Sequence, residues 1–390
     1  MRSFNLHPLF TATIAECYEQ HISLSVGEKT ELMGARTTIR AHIRSQLPKR
    51  LAAARVEEGG ERIEPRFITQ GSYAYGLINA PAYPPRQQSD LDDGVYVPLS
   101  FCEDTGSPKA VSRLLIEVIE QLLTELAATM RGWSVKTDNP NCTRVIIAPD
   151  KHVDVPIYSI PDAEFRKIAQ YRFSLEKRAQ AFDEYYRGVD LDDVWELMPE
   201  RVRLAHKTLG WLDSDPRPIK DWIDRQVLLK TEQLRRLIRY LKAWRDAQAW
   251  PHGDPKSILL MALVDATLER KIEGRDDLAL IEVCRAIPDR LRDAVTIAPI
   301  PKEDLSKALD KDGIRDTFVQ RIRALQDVLA ACVSGRHSRE EACRMLTQQF
   351  GARFPQRPDR IREETPEAVV HAVEPRRIAA APIVGRRVAG

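Results

Sequence analysis

Apolar positions along the chain change period twice. From about residue 27 to 56, "ELMGARTTIRAHIRSQLPKRLAAARV" places Leu32, Ile39, Ile43 and Leu47 near helical spacing, which predicts a long first helix interrupted at Pro48. "GGERIEPRF" breaks the pattern, and Arg66 to Tyr75 reads as a strand running into a turn and a helix start. After the proline-rich "APAYPPRQQ", the stretch "DLDDGVYVPL" alternates as a strand with Leu91, Val95 and Val97 among its apolar residues. Ser107-Pro108 suits an N-cap followed by proline at the first helical position, opening a helix through "VSRLLIEVIEQLLTELAATM". Three strands follow, "WSVKT", "TRVIIAP" and "HVDVPIYSI". Beyond Asp162 the pattern turns almost wholly helical to about residue 350, including "TEQLRRLIRYLKAWRDAQ" and "HSREEACRMLTQQFG".

This reading divides the chain into a mixed α/β half with N-terminal helices over residues 1–200, a helical half over 201–350, and a proline- and arginine-rich tail over 351–390, expected to be flexible. At 390 residues the chain is long enough for two or three domains and a deep cleft between them. The net charge of +2 gives no basic excess, so a small anionic substrate is favoured over stable nucleic-acid binding. Six singly scattered cysteines, Cys17, Cys102, Cys142, Cys284, Cys332 and Cys343, form no CxxC pair and suggest neither zinc nor a disulfide framework. "MRSFNLHPLF" lacks a signal-peptide run and "ILLMALV" at 258–264 is too short to cross a bilayer, so a cytoplasmic protein without a membrane role is expected.

The chemistry concentrates in "QGSYAYGLINAPAYPPRQQSDLDDGVYVP", residues 70–98. On a strand, Asp90 and Asp92 share a face while Asp93 points to the other side. Two carboxylates on one face, about 7 Å apart at Cα, suit divalent cations; a solvated acidic turn is the plain alternative. Gly71 lets a phosphate approach the backbone, where the N–H groups of Ser72 and Tyr73 open a helix toward it. In "HVDVPIY", Asp154 sits between apolar residues and needs a partner, either a metal or an ion pair with Arg144 or Lys151.

"GSYAY", "DLDDG" and "HVDVPIYSIP", followed by "WLDSDPRPIKDWI", "LKAWRDAQ" and "PKSILLMAL", resemble the bacterial cGAS/DncV-like nucleotidyltransferases (CD-NTases), in particular the cholera-type cyclic GMP-AMP synthase branch. The resemblance extends to about residue 350. GS with D-x-D alone marks the whole polymerase-β-like superfamily; "DDGVY", "SDP" and "KAWRDAQ" are more specific. The resemblance implies an α+β fold, with a polymerase-β-like core of mixed sheet and flanking helices and a C-terminal helical domain closing the nucleotide cleft. It implies ATP and GTP as substrates, joined into 3′,3′-linked cyclic GMP-AMP with release of pyrophosphate. Two Mg²⁺ ions, or Mn²⁺ in their place, would be held by Asp90, Asp92 and Asp154.

Carried over in the same way, Gln70, Gly71, Ser72 and Tyr75 line the donor phosphate and sugar, Arg144 lies near the acceptor, Lys242 reaches the triphosphate, and Ser257 and Asp215 lie at the nucleotide pocket. Each has a plainer competitor: Ser214 and Asp215 could cap a helix, Lys242 and Arg245 could form a solvated helix face, and Tyr73, Tyr75 and Tyr83 could be packing residues. His152, on the strand face of Asp154, reads as a neighbour orienting carboxylates, because hard Mg²⁺ favours oxygen. The resemblance further implies a role in CBASS anti-phage defence, a separate effector that reads the product, and activation of the C-terminal Gly390 by an E1/E2-like conjugating enzyme. Two other readings stand beside it: an RNA 3′-end or small-molecule nucleotidyltransferase, and a non-catalytic nucleotide sensor, whose signature would be a lost carboxylate.

Overall fold

The structure is a computed structural model that describes residues 3–13, 15–54, 64–100, 108–163, 165–166, 202–250 and 253–364. The described strands are β1 (Ser3–Asn5), β2 (Arg66–Gln70), β3 (Ser89–Pro98), β4 (Ser134–Lys136), β5 (Cys142–Ala148), β6 (Lys151–Ile160), β7 (Arg203–His206), β8 (Gly210–Asp213) and β9 (Arg362–Glu364). The described α-helices are α1 (His7–Phe10), α2 (Tyr18–His21), α3 (Val26–Ala54), α4 (Gly71–Ala74), α5 (Pro108–Thr129), α6 (Arg217–Lys230), α7 (Glu232–Ala247), α8 (Ser257–Thr267), α9 (Asp276–Arg290), α10 (Lys307–Lys311), α11 (Arg315–Val333) and α12 (Arg339–Phe350).

The expected long first helix forms across Pro48, and Leu32, Ile39, Ile43 and Leu47 are its buried stripe. With α5 it covers one face of a mixed sheet in the order β2-β3-β6-β5-β4. Strand β3 runs antiparallel to β2 and parallel to β6, while β5 is antiparallel to both β6 and β4. All ten residues of β6 are buried, as expected of a strand with neighbours on both sides. Pro156, which has no N–H to give, falls where the pairing of β3 with β6 is interrupted, between Asp154 and Ile157.

Three features depart from the periodicity reading. Residues 203–213 form the hairpin β7–β8 rather than helix, and β7 joins the sheet at Tyr158 and Ser159, beyond the end of β5. Among the described residues the first helix after this hairpin begins at Arg217. Residues 3–22, assigned by sequence to the first half, pack into the core of the helical half: Phe4, Leu6, Leu9, Phe10 and Tyr18 are buried there with Tyr240, Phe350 and Phe354. Third, residues 351–364 are not yet tail. Phe354 and Ile361 are buried and β9 pairs with β1. Arg275, itself buried, donates to Glu364 at 2.6 Å and to Asp277, which in turn accepts the backbone N–H of Leu6 at 2.9 Å. Residues 365–390, including Gly390, lie outside the described residues, as do Cys102 and Ser107.

Phe354 stacks on Phe350 at 5.3 Å between ring centroids and touches Phe10 and Tyr18. Phe354→Ala is expected to cost about 3–5 kcal/mol, read as a fall in the urea midpoint with an unchanged slope.

Candidate active site

The strand period sorts the three aspartates of "DLDD" as expected. Asp93 turns toward α3, where the buried Arg40 donates to it from Nε at 2.8 Å and Nη2 at 2.5 Å. Thr69 adds a hydroxyl at 3.0 Å and receives Arg36 in turn. Asp90 and Asp92 project from the opposite face. The parallel register of β3 and β6 sets Asp92 opposite Asp154 and Asp90 opposite His152. Three carboxylates thus share one side of two adjacent strands.

Burial, then Asp90 and Asp154, push the carboxyl of Asp92 well above its usual range, with Arg144 partly opposing them. Asp154 has a counter-ion: Arg144, its cross-strand partner on β5, donates from Nε at 2.7 Å and Nη2 at 2.8 Å. The ion pair that the sequence left open as an alternative to a metal is therefore present, and its partner is Arg144. Among the described residues no three His, Cys, Asp or Glu side chains already converge as a metal cage. The donor set still suits a hard divalent cation, being carboxylate oxygen throughout, with the charges of Asp90 and Asp154 both bearing on Asp92.

Two glycines are set by neighbours of this cluster. Gly71 has φ +68°, and a Cβ there would fall directly on Oδ2 of Asp92. Its first task is to make room for that carboxylate. Gly94 faces the stacked rings of Tyr96 and Tyr158, 4.9 Å apart, and a Cβ would approach them to within 3.0 Å. Gln70 belongs to the same platform: its Nε2 donates to the Tyr158 hydroxyl at 2.7 Å and its Oε1 accepts from Tyr96 at 3.3 Å. Being buried, Gln70 braces the sheet beneath the carboxylates and is absent from the walls of the cleft, contrary to the role expected from its motif.

The cleft beside Asp90 holds about 440 Å³ and is lined by Ser72, Tyr75, Asp90, Arg144, His152, Lys242, Arg245 and Ser257, among others; Asp92, further along β3, and Asp154, the cross-strand partner of Arg144, are not on its walls. Ser72 Oγ lies 3.4 Å from Asp90 Oδ1, and the Tyr75 hydroxyl points to the carbonyl of Pro216 at 3.4 Å. Lys242 is buried rather than solvated, on the side of α7 that lines the cleft. Its Nζ donates to the Leu77 carbonyl at 2.6 Å, and desolvation brings its pKa down to about 8 while Asp90 pulls it up. Arg245 donates to Ser257 Oγ at 3.0 Å and was missed as a cleft residue; its spacing of three from Lys242 on one helix was the available signal. Asp215 lies apart, in a neighbouring cavity of about 840 Å³ that shares Ile219 and Ile258 with the cleft. It accepts the backbone N–H of Arg217 at 3.1 Å and the Arg217 Nε at 2.6 Å, a local contact just ahead of α6, whose N-cap residue is Pro216.

Comparison with known proteins follows the same two-part division. The family described as "Cyclic GMP-AMP synthase DncV-like, nucleotidyltransferase domain" matches residues 65–158, and "Cyclic GMP-AMP synthase, C-terminal domain" matches residues 231–361. A cyclic GMP-AMP synthase of Vibrio cholerae serotype O1 is 32% identical over 302 residues, covering 75% of this chain and 68% of the relative. The chain belongs to the DncV-like nucleotidyltransferases. A second relative, the cyclic GMP-AMP synthase of an Escherichia coli strain, is 30% identical over 303 residues, with the same two coverages. Among solved structures, that of the Vibrio cholerae DncV cyclic AMP-GMP synthase with a linear intermediate has a TM-score of 0.72 at 23% identity, covering 94% of this chain and all of that one. As a DncV-like nucleotidyltransferase the chain is an enzyme by family, with the mixed sheet and helical domain that the family implies. Among the described residues no helix is long and apolar enough to cross a membrane.

Because Asp92 holds its proton to higher pH in the folded protein than in the unfolded chain, the folded state binds more protons between those two pKa values. Stability therefore falls as pH rises through that window. Asp92→Asn is expected to raise the melting temperature of the metal-free protein at pH 7 by a few degrees. The gain should vanish below the ordinary carboxyl value of 3.8, where both forms are neutral. Thermal melts of both proteins across that pH range check this.

Proposed function

We propose that this enzyme is a cyclic dinucleotide synthase that joins ATP and GTP into 3′,3′-linked cyclic GMP-AMP. The observation that carries the reading is the register that lines Asp90, Asp92 and Asp154 along one side of two strands, with Asp90 on the wall of a cleft that Lys242 and Ser257 also line. Membership of a family whose relatives bear the name cyclic GMP-AMP synthase supports it.

In this reading residues up to about 213 carry the transfer machinery and the helical part supplies the roof. Asp90 and Asp92 would hold one divalent ion, and Asp90, Asp92 and Asp154 together would hold a second. Bound there, Mg²⁺ supplies neutralisation of charge on the entering and leaving oxygens. The residues of the chain do the rest. Lys242 releases the Leu77 carbonyl to meet the triphosphate, Ser72 and Tyr75 line its phosphates and sugar, and Arg245 holds Ser257 at the nucleotide. Arg144 leaves Asp154 as the acceptor arrives. The acceptor 3′ oxygen bonds to the α-phosphorus as the bond to pyrophosphate breaks, with the hydroxyl proton passing to Asp154 and on to solvent. A second round on the reoriented linear intermediate closes the ring. Asp215, set in the adjoining cavity, contacts a base edge once Arg217 shifts.

The product serves as a second messenger in CBASS anti-phage defence and is read by a separate effector. The C-terminal Gly390 is joined to a target amine by an E1/E2-like enzyme, glycine allowing close grip of the carboxylate.

Incubated with ATP, GTP and Mg²⁺, the protein is expected to give a phosphatase-resistant product with the mass of cyclic GMP-AMP, and Asp90→Ala/Asp92→Ala to give none. Linear oligomers in the mass spectrum would overturn the cyclase reading. Triphosphate affinity should weaken roughly tenfold between pH 7 and 9 as Lys242 loses the proton that a bound phosphate favours. Calorimetric titration across that range tests it, with Lys242→Arg expected to flatten the dependence.

A further inference from the structure

His152 carries a buried ring nitrogen that the chemistry above does not use. Its Nδ1 meets Gln88 Oε1 at 3.0 Å, while Gln88 Nε2 lies 2.8 Å from the Pro149 carbonyl. A backbone carbonyl accepts only, so the amide of Gln88 must present its nitrogen to Pro149 and its oxygen to the imidazole. That oxygen requires a proton on Nδ1. In the neutral ring the lone pair is therefore on Nε2, on the side of Asp154. Nε2 is fully buried and has no hydrogen-bond partner among the described residues. It lies 3.8 Å from Asp154 Oδ1, too far for a hydrogen bond and with an acceptor at either end. An orphaned acceptor in a dry wall is costly unless a ligand brings a donor.

Both residues of this relay, Gln88 and His152, line the same cleft as Asp90 and Arg144. Once Arg144, which engages both oxygens of Asp154, is displaced as the proposed reaction requires, two adjacent acceptors, one imidazole nitrogen and one carboxylate oxygen, match the two neighbouring hydroxyls of a ribose, each hydroxyl donating to its own acceptor. A 2′-deoxyribose leaves one of the two unpaired.

We propose that His152, held in a single tautomer by Gln88, accepts the 2′-hydroxyl of the nucleotide whose 3′-hydroxyl lies at Asp154, and so selects ribonucleotides over 2′-deoxyribonucleotides. The proposal rests on the nucleotidyl-transfer reading and adds to it the residue that recognises the sugar. His152 is a specificity residue in this role; it takes no proton, and the bond-making steps are unchanged. The same contact leaves the 3′ oxygen as the free nucleophile beside Asp154.

The test is calorimetric titration of the full-length protein, in Mg²⁺, with the α,β-methylene triphosphates of adenosine, 2′-deoxyadenosine, guanosine and 2′-deoxyguanosine, so that binding is read without turnover. For at least one base the wild type should prefer the ribo form by about tenfold, the size of one hydrogen bond in a water-poor site. His152→Asn places its amide where Nδ1 was and has no atom at the Nε2 position; it should bring the preference close to one. His152→Gln keeps an acceptor near Nε2 and should retain part of the preference. Gln88→Met, which frees the ring, should reduce it. A general loss of structure would weaken both sugars together and leave their ratio unmoved, so the ratio and not the affinity decides. Equal binding of both sugars by the wild type, or a preference that survives His152→Asn, overturns the proposal while leaving the nucleotide reading intact. Failure of the wild type to bind any of the four analogues overturns the nucleotide reading and this proposal with it.

Discussion

The structure depends on the parallel pairing of β3 with β6. Backbone hydrogen bonds hold these strands in a register that brings Asp92 opposite Asp154, although the two carboxylates repel. No side-chain preference would bring them together; the sheet imposes it, and the surrounding apolar core stabilises the sheet. Val95, Val97, Val153 and Val155, with α3 and α5 packed on them, provide that burial on the face away from the site. The site thus stores unfavourable electrostatics that the core offsets, the usual relation between a binding centre and its scaffold.

How the unliganded protein tolerates the cluster is visible in its neighbours. Arg144 neutralises Asp154 from the adjoining strand, and the buried Arg40 deals with Asp93 on the far face. Among the described residues Asp92 has no ion pair of its own, and Gly71 is left bare to admit it. The Gly-Ser turn is therefore explained twice, once by the carboxylate it accommodates and once by the phosphate that the proposed reaction brings. Lys242 shows the same economy. Its ammonium is held by the Leu77 carbonyl, a neutral acceptor that the triphosphate of the proposed reaction would replace at little loss.

The helical part contributes more than a roof. Asp276, fully buried, gathers Arg236, Gln233 and Tyr240 and so pins α7, the helix that carries Lys242 and Arg245, against α9. Its neighbour Asp277 fastens the start of the chain, and Arg275 fastens β9 near the end of the described chain. Both ends of the described chain thus close one core, and the cleft wall built on α7 inherits its rigidity.

The sequence by itself determined whatever depends on local period. Alternation placed Asp90 and Asp92 on one strand face and Asp93 on the other, the stripe of Leu32, Ile39, Ile43 and Leu47 defined the long helix, and motif order disclosed the family. Tertiary structure alone decided what depends on partners distant in the chain. It converted Gln70 from a wall of the cleft into a brace under it, gave Asp154 to Arg144, buried Lys242, and drew residues 3–22 and 351–364 into the helical core. It also turned 203–213 into a hairpin, since short strands without clear alternation acquire their state from the edge they pair with. A side chain's face is fixed within a few residues, whereas its burial and partner are fixed by which distant strand or helix packs against it.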